Sequence, residues 1–244
     1  MSQITLNPYP ALGTEFTAGM NAIIAIPPPS IDALVSDVVA YVQGIYYTAA
    51  ITPAQVIELK SVAYSAINSF VNGGTSNALY NSKQKSIIDM LTGPSLHSFL
   101  TVDTIGNRIL DVEDNITKAN LSVEEQTPLF FATMIGNTAY TYWLAQIALG
   151  AGSSWNTPYF VPAKVSAMGN VPFWISAAIE GTLIGAKSTM RTMIDNTTQV
   201  VGNEIISALI GGLTIAAGKV IFLWIPRLQN GVLNGGSSGC GCGH

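Results

Sequence analysis

The sequence predicts an all-α protein, a bundle of about seven helices with a very apolar C-terminal helical hairpin and a flexible glycine- and cysteine-rich tail. Apolar residues recur at spacings of three and four along most of the chain, and helix-capping sequences precede several of these stretches. The period-two alternation that is typical of half-buried strands is scarce. At 244 residues, the chain can bury a large core without disulfides.

The N-terminal third is expected to hold an extended arm followed by two helices. We expect residues 1–29 to form a proline-rich arm, because it ends in three consecutive prolines, which cannot lie inside a helix. Ser30 is a candidate N-cap for a helix that ends at about Tyr47. Residues 52–55 form a capping box with proline at the first helical position, which predicts a helix that ends before residues 72–74.

The middle of the chain predicts three further helices. A short helix is expected over residues 76–91. Apolar residues at spacings of three and four predict a helix with a narrow apolar stripe within residues 95–120. A second capping box at residues 122–125 opens a helix that is expected to kink at Pro128 and to end at about Leu149. A loop rich in glycine, serine, asparagine and proline is expected to follow, over residues 150–170.

The last two helices, expected over residues 171–195 and 203–225, form what we call the C-terminal hairpin. Small residues recur at every fourth position in both. An interior glycine costs a helix about 1 kcal/mol relative to alanine, so such a row predicts a compensating close approach of two backbones. The small residues are Ala177, Gly181 and Gly185 in the first helix and Ala208, Gly212 and Ala216 in the second.

The second helix of the hairpin is apolar enough to cross a membrane. Residues 205–225 carry a single charge, Lys219, whose long side chain can reach toward lipid headgroups. Trp224 and Arg227 stand where an interfacial anchor and a flanking positive charge are expected. A buried central helix of a soluble bundle has the same pattern, and a hairpin that is sheltered in a soluble form and inserts on demand reconciles the two interpretations. Such behaviour resembles that of helical pore-forming toxins and bacteriocins.

The tail, residues 230–244, carries the only cysteines of the chain. Cys240, Cys242 and His244 alternate with glycine, and thiolate and imidazole groups are ligands that suit copper or zinc. The tail also resembles the modified segment of ribosomal peptide precursors, in which an enzyme cyclises cysteine and serine. A third interpretation is an inert glycine- and serine-rich linker.

Composition limits the partners and the location of the protein. Only 10% of the residues are charged and the net charge is −4, which excludes a phosphate-binding face and therefore nucleic acid as a partner. Neutral polar surfaces resist association poorly, so a homo-oligomer is expected. No basic residue precedes Lys60, so the protein is expected either to stay inside the cell or, as we favour, to associate with a membrane or be exported without a signal peptide.

Candidate catalytic residues are few, and we expect no enzyme activity. Ser95, His97 and Asp103 would share one helix with nothing to supply an oxyanion hole. An acidic cluster at residues 111–114 lacks the spacing of a calcium loop and is expected to be a solvated helix face.

The leading hypothesis is a non-enzymatic protein of three parts: the arm (residues 1–29), a helical domain (30–229, with the C-terminal hairpin at 171–225) and the tail (230–244). In it the hairpin engages a lipid membrane, and the tail serves as a metal ligand or modification site. One alternative is a precursor whose body presents the tail to a modifying enzyme. Another is a self-assembling structural subunit.

Overall fold

A computed structural model describes residues 7–47, 50–71, 76–92, 102–149, 171–188 and 200–224. Within these ranges the protein has eight α-helices, one short 3₁₀ helix and no strand, which confirms the all-α prediction. The α-helices are α1 (Pro10–Ala25), α2 (Ile31–Tyr46), α3 (Pro53–Val71), α4 (Ser82–Thr92), α5 (Val102–Lys118), α6 (Val123–Leu149), α7 (Val171–Lys187) and α8 (Val200–Trp224).

Helix α1 corrects the expectation of an extended N-terminal arm. Residues 10–25 are helical, with proline in the first turn, and the three prolines at 27–29 follow the helix instead of preventing it. Its buried apolar residues keep helical spacing: Leu12, Phe16, Met20, Ile23 and Ile24. The flanking prolines and two internal glycines obscured this pattern, although Pro10 is itself a helix-start signal.

The predicted helix starts are confirmed by hydrogen bonds. The Ser30 hydroxyl accepts from the backbone N–H of Ala33 at 3.1 Å. At the start of α3, the Thr52 N–H donates to the Gln55 side chain at 2.8 Å, and the Gln55 N–H donates back to the Thr52 hydroxyl at 3.3 Å. The start of α6 has the same reciprocal pair between Ser122 and Glu125, at 2.8 and 3.2 Å.

The single helix expected over residues 76–91 is instead divided in two. A 3₁₀ helix, Ser76–Leu79, precedes α4. The Asn81 side chain accepts from the N–H groups of Lys83 and Gln84, both at 3.0 Å, and the Gln84 side chain accepts from the Asn81 N–H at 3.2 Å. These contacts form a third capping box, which starts a new helix after Tyr80.

Helix α8 lies at the centre of the bundle. It packs along α7 and also contacts α1, α2, α3 and α6. Helix α7 in turn packs against α6, on which α5 also lies, and the apolar stripe of α5 is buried as predicted (Ile105, Ile109, Val112 and Ile116). Helix α8 begins three residues earlier than expected, at Val200. Helix α7 ends at Lys187, eight residues before the end expected near residue 195. The expected loop at 150–170 lies outside the described residues.

Candidate functional site

Helices α7 and α8 approach each other backbone to backbone. A Cβ atom built on Gly185 would lie 2.1 Å from the carbonyl oxygen of Ser207, and one built on Gly211 would lie 2.1 Å from that of Gly181. A Cβ on Gly181 would meet the Gly211 oxygen at 2.4 Å. Real Cβ atoms do not come this close to backbone, so only glycine fits at these three positions.

The contact between α7 and α8 continues toward the other end of the pair. The Trp174 indole N–H donates to the Ala216 carbonyl oxygen at 3.1 Å. Trp174, near the start of α7, lies beside Ala216, and Gly185, near the end of α7, lies beside Ser207. Residue numbers thus rise along α7 as they fall along α8, so the two helices are antiparallel. The C-terminal hairpin is therefore closed by its own internal contacts.

The structure buries all six small residues that the sequence singled out: Ala177, Gly181, Gly185, Ala208, Gly212 and Ala216. Gly212 faces the side of α7, where a Cβ would lie 2.6 Å from the Thr182 hydroxyl. The position on α8 that faces Gly181 is Gly211, which the sequence analysis missed. Both Gly211 and Gly212 therefore lie at the interface. Ser207 and Gly211 are small residues four positions apart, and this spacing was the available signal for Gly211.

One segment among the described residues, Gly202–Ile221 in α8, is long and apolar enough to cross a membrane, and most of its residues are buried inside the bundle. Lys219 is the basic residue of this segment, and it is partly buried. Its ammonium lies 5.2 Å from the centre of the Phe70 ring of α3, at cation–π distance. Trp224, the expected interfacial anchor, is the last residue of α8.

The segment 76–80 fastens α7 from outside the hairpin. The Ser76 N–H donates to the Glu180 carboxylate at 2.9 Å, and the Tyr80 hydroxyl donates to the Leu183 carbonyl oxygen at 2.8 Å. Burial and the nearby carboxylates of Glu204 and Glu180 raise the pKa of Tyr80, so its hydroxyl keeps the proton that it donates. The Lys187 ammonium lies 4.8 Å from the centre of the Tyr80 ring.

A second buried polar group lies on α5 and corrects the expectation of a solvated acidic face. Asp111 and Asp114 are exposed, but Glu113 is only 5% exposed. Its carboxylate accepts from the Asn7 amide at 2.7 Å and from the Thr133 hydroxyl of α6 at 2.8 Å. Position 113 falls four residues after Ile109, on the apolar side of α5, and this spacing was the available signal.

Several candidate residues lie outside the described residues. These are Cys240, Cys242 and His244 of the tail, together with Arg227, Ser95 and His97. Asp103 lies in the first turn of α5. Within the described ranges, no group of three or more histidine, cysteine, aspartate or glutamate residues is placed to hold a metal ion.

The arrangement thus presents a helix pair closed by glycine contacts and enclosed by other helices. Its polar attachments to the surrounding bundle include Ser76, Tyr80 and Lys219. Comparison of the chain with protein-family models, with curated proteins and with solved structures gave no match.

Proposed function

We propose that the protein is a non-enzymatic, membrane-inserting protein whose inserting element is the C-terminal hairpin, sheltered by the surrounding helices in its soluble form. The observation that carries this proposal is that α8 combines a membrane-length apolar segment with burial of most of that segment by neighbouring helices. Exposing the apolar surface of such a helix to water is unfavourable, whereas replacing the protein groups that cover it with lipid costs little free energy.

The internal contacts of the hairpin support insertion of α7 and α8 as a pair. Hydrophobic association does not hold helices together in lipid, where close packing of small residues and interhelical hydrogen bonds act instead. The contacts of Gly181, Gly185 and Gly211 and the bond from Trp174 to Ala216 are of these two kinds. They do not depend on water and can persist in a bilayer.

Three of the four charged residues of α7 and α8 lie toward helix ends, and the fourth, Glu180, lies near the middle of α7. Glu204 lies near the start of α8, and Lys219 lies five residues before its end. Glu180 and Lys187 of α7 flank the segment 76–80 in the soluble form. A long lysine side chain near a helix end can reach the interface at small cost.

The proposal is tested by liposome flotation with dye release, at neutral and acidic pH. We expect wild-type protein to float with the vesicles and to release dye. Gly181→Leu and Gly212→Leu are expected to abolish release because they force α7 and α8 apart, whereas Gly44→Leu is the matched control, since a Cβ there meets nothing within 4 Å. Wild-type protein that neither binds nor releases dye at either pH would assign α8 to the core of a permanently soluble bundle.

The expected homo-oligomer, the modifying enzyme and the copper or zinc ligation by the tail stay predictions. Size-exclusion chromatography at two protein concentrations tests the oligomer. Intact mass under denaturing and native conditions separates a modified tail, which changes the covalent mass, from a metal-bound one, which adds mass only in the native spectrum.

A further inference from the structure

We infer that α1 is a lid over α8, which opens as a unit before the C-terminal hairpin can leave the bundle. The inference rests on the proposed function and adds the order of events. It is carried by three features of α1: what it covers, how it is attached, and how little it is stabilised by its own sequence.

Helix α1 lies directly on α8 through one of its glycines. A Cβ built on Gly19 would lie 2.8 Å from a methyl group of Leu213, in the middle of the apolar segment of α8. The same Cβ would lie 2.7 Å from the Tyr41 ring of α2. Opening of α1 therefore uncovers Leu213 and the apolar surface beside it.

Side-chain hydrogen bonds attach α1 and the residues before it to helices other than α8. The Tyr142 hydroxyl of α6 donates to the Asn21 side chain at 2.7 Å. The Tyr41 hydroxyl of α2 donates to the Glu15 carbonyl oxygen at 2.8 Å. Ahead of the helix, the Asn7 amide donates to the Glu113 carboxylate at 2.7 Å.

A further bond joins Tyr46 of α2 to the Glu15 carboxylate. Burial and this carboxylate raise the pKa of Tyr46, so the tyrosine hydroxyl is the donor. Besides the packing of its buried apolar residues, α1 is thus attached by a small number of separate polar contacts, and none of these bonds involves a residue of α7 or α8.

The sequence of α1 gives the helix little stability of its own. Its N-cap residue, Tyr9, makes no side-chain capping bond, and the first and last turns hold no acidic or basic residue, respectively. Two interior glycines, Gly13 and Gly19, lower its helix propensity further. Helices α2, α3 and α6, in contrast, have hydrogen-bonded caps. Without these local stabilising features, α1 is expected to open at lower free energy than the capped helices α2, α3 and α6.

Two tyrosine-to-phenylalanine variants and a matched control test the lid. Tyr142→Phe and Tyr41→Phe each remove one hydroxyl bond to α1 and keep the ring. Tyr64→Phe removes a comparable bond, to Asp32, which joins α3 to α2 and does not involve α1. The first measurement is amide hydrogen exchange without lipid. Each α1 variant is expected to exchange α1 amides about tenfold faster, with α8 amides unchanged and the control like wild type.

The second measurement is dye release, in which the two α1 variants are expected to act several-fold faster than wild type and the control. If wild-type α1 exchanges only as slowly as α8, or if the variants change neither exchange nor release while wild type still releases dye, the lid is refuted and the membrane function stands. Fast exchange of α1 in a protein that neither binds vesicles nor releases dye refutes the membrane function, and the lid's role in insertion with it.

Discussion

Replacing Gly185 with alanine is expected to lower the free energy of unfolding, although alanine is the better helix former. The new Cβ would lie 2.1 Å from the Ser207 oxygen and 3.1 Å from the Gly211 Cα, both backbone atoms that cannot rotate away. The two helices must separate by about 1 Å to restore an ordinary contact. Overpacking of this kind costs about 3 kcal/mol at the upper end of its range, and helix propensity returns about 1 kcal/mol, for a net loss of about 2 kcal/mol.

Gly44 provides the opposite case within the same protein. A Cβ at this position of α2 meets nothing within 4 Å, so Gly44→Ala is expected to raise the free energy of unfolding by about 0.5–1 kcal/mol. Urea denaturation followed by far-UV circular dichroism measures both variants. If Gly185→Ala proves as stable as Gly44→Ala, the backbones of α7 and α8 are not in contact, and the packing argument for the C-terminal hairpin is refuted.

Three further substitutions test the polar contacts of the bundle by urea denaturation. Glu113→Ala removes the buried acceptor of Asn7 and Thr133 and is expected to cost about 2–3 kcal/mol. Tyr80→Phe removes the bond to the Leu183 carbonyl and is expected to cost about 1 kcal/mol. Hydrogen bonds from Ser122 lower the pKa of Glu125 in the folded protein. The contribution of Glu125 to the free energy of unfolding is therefore present above its unfolded pKa and is lost as the pH falls through its folded pKa. Glu125→Gln is expected to reduce this loss of stability in acid.

Each of these substitutions has its own contradicting result. Asp111→Ala, an exposed change on the same helix, is the control for Glu113 and is expected to stay within about 0.5 kcal/mol of wild type; equal effects would contradict the buried network. A Tyr80 variant as stable as wild type would show that the segment 76–80 does not hold α7. For Glu125, a variant whose stability falls with acid as steeply as wild type would assign that fall to other groups.

Local signals in the sequence were sufficient for much of the fold. A capping box is a contact between residues three apart, so the starts of α3 and α6 followed from the sequence of those residues alone. The buried stripe of α5 could be predicted from helical spacing, because residues such as Ile105 and Ile109 lie on the same face of the helix. Both kinds of signal require no knowledge of what lies opposite.

Features that depend on a partner element were harder to predict. Helix α1 lacks a capping bond and owes its stability to α2, α6 and α8, so its own residues suggested an arm. Glu113 is buried because Asn7, more than a hundred residues away, supplies its hydrogen bond. Gly211 and Gly212 are adjacent, and only the orientation of α7 determines that Gly211 faces Gly181.

The contact of α1 with α8 has a consequence for synthesis of the chain. Gly19 and Leu213 pack together, yet almost the whole described chain lies between them. During translation, α1, α2 and α3 leave the ribosome long before the helix that they enclose, and their apolar faces stay uncovered for that time. Contacts between such distant residues also slow folding. The surfaces of α1, α2 and α3 that α8 covers are therefore buried only after the last helix has been synthesised.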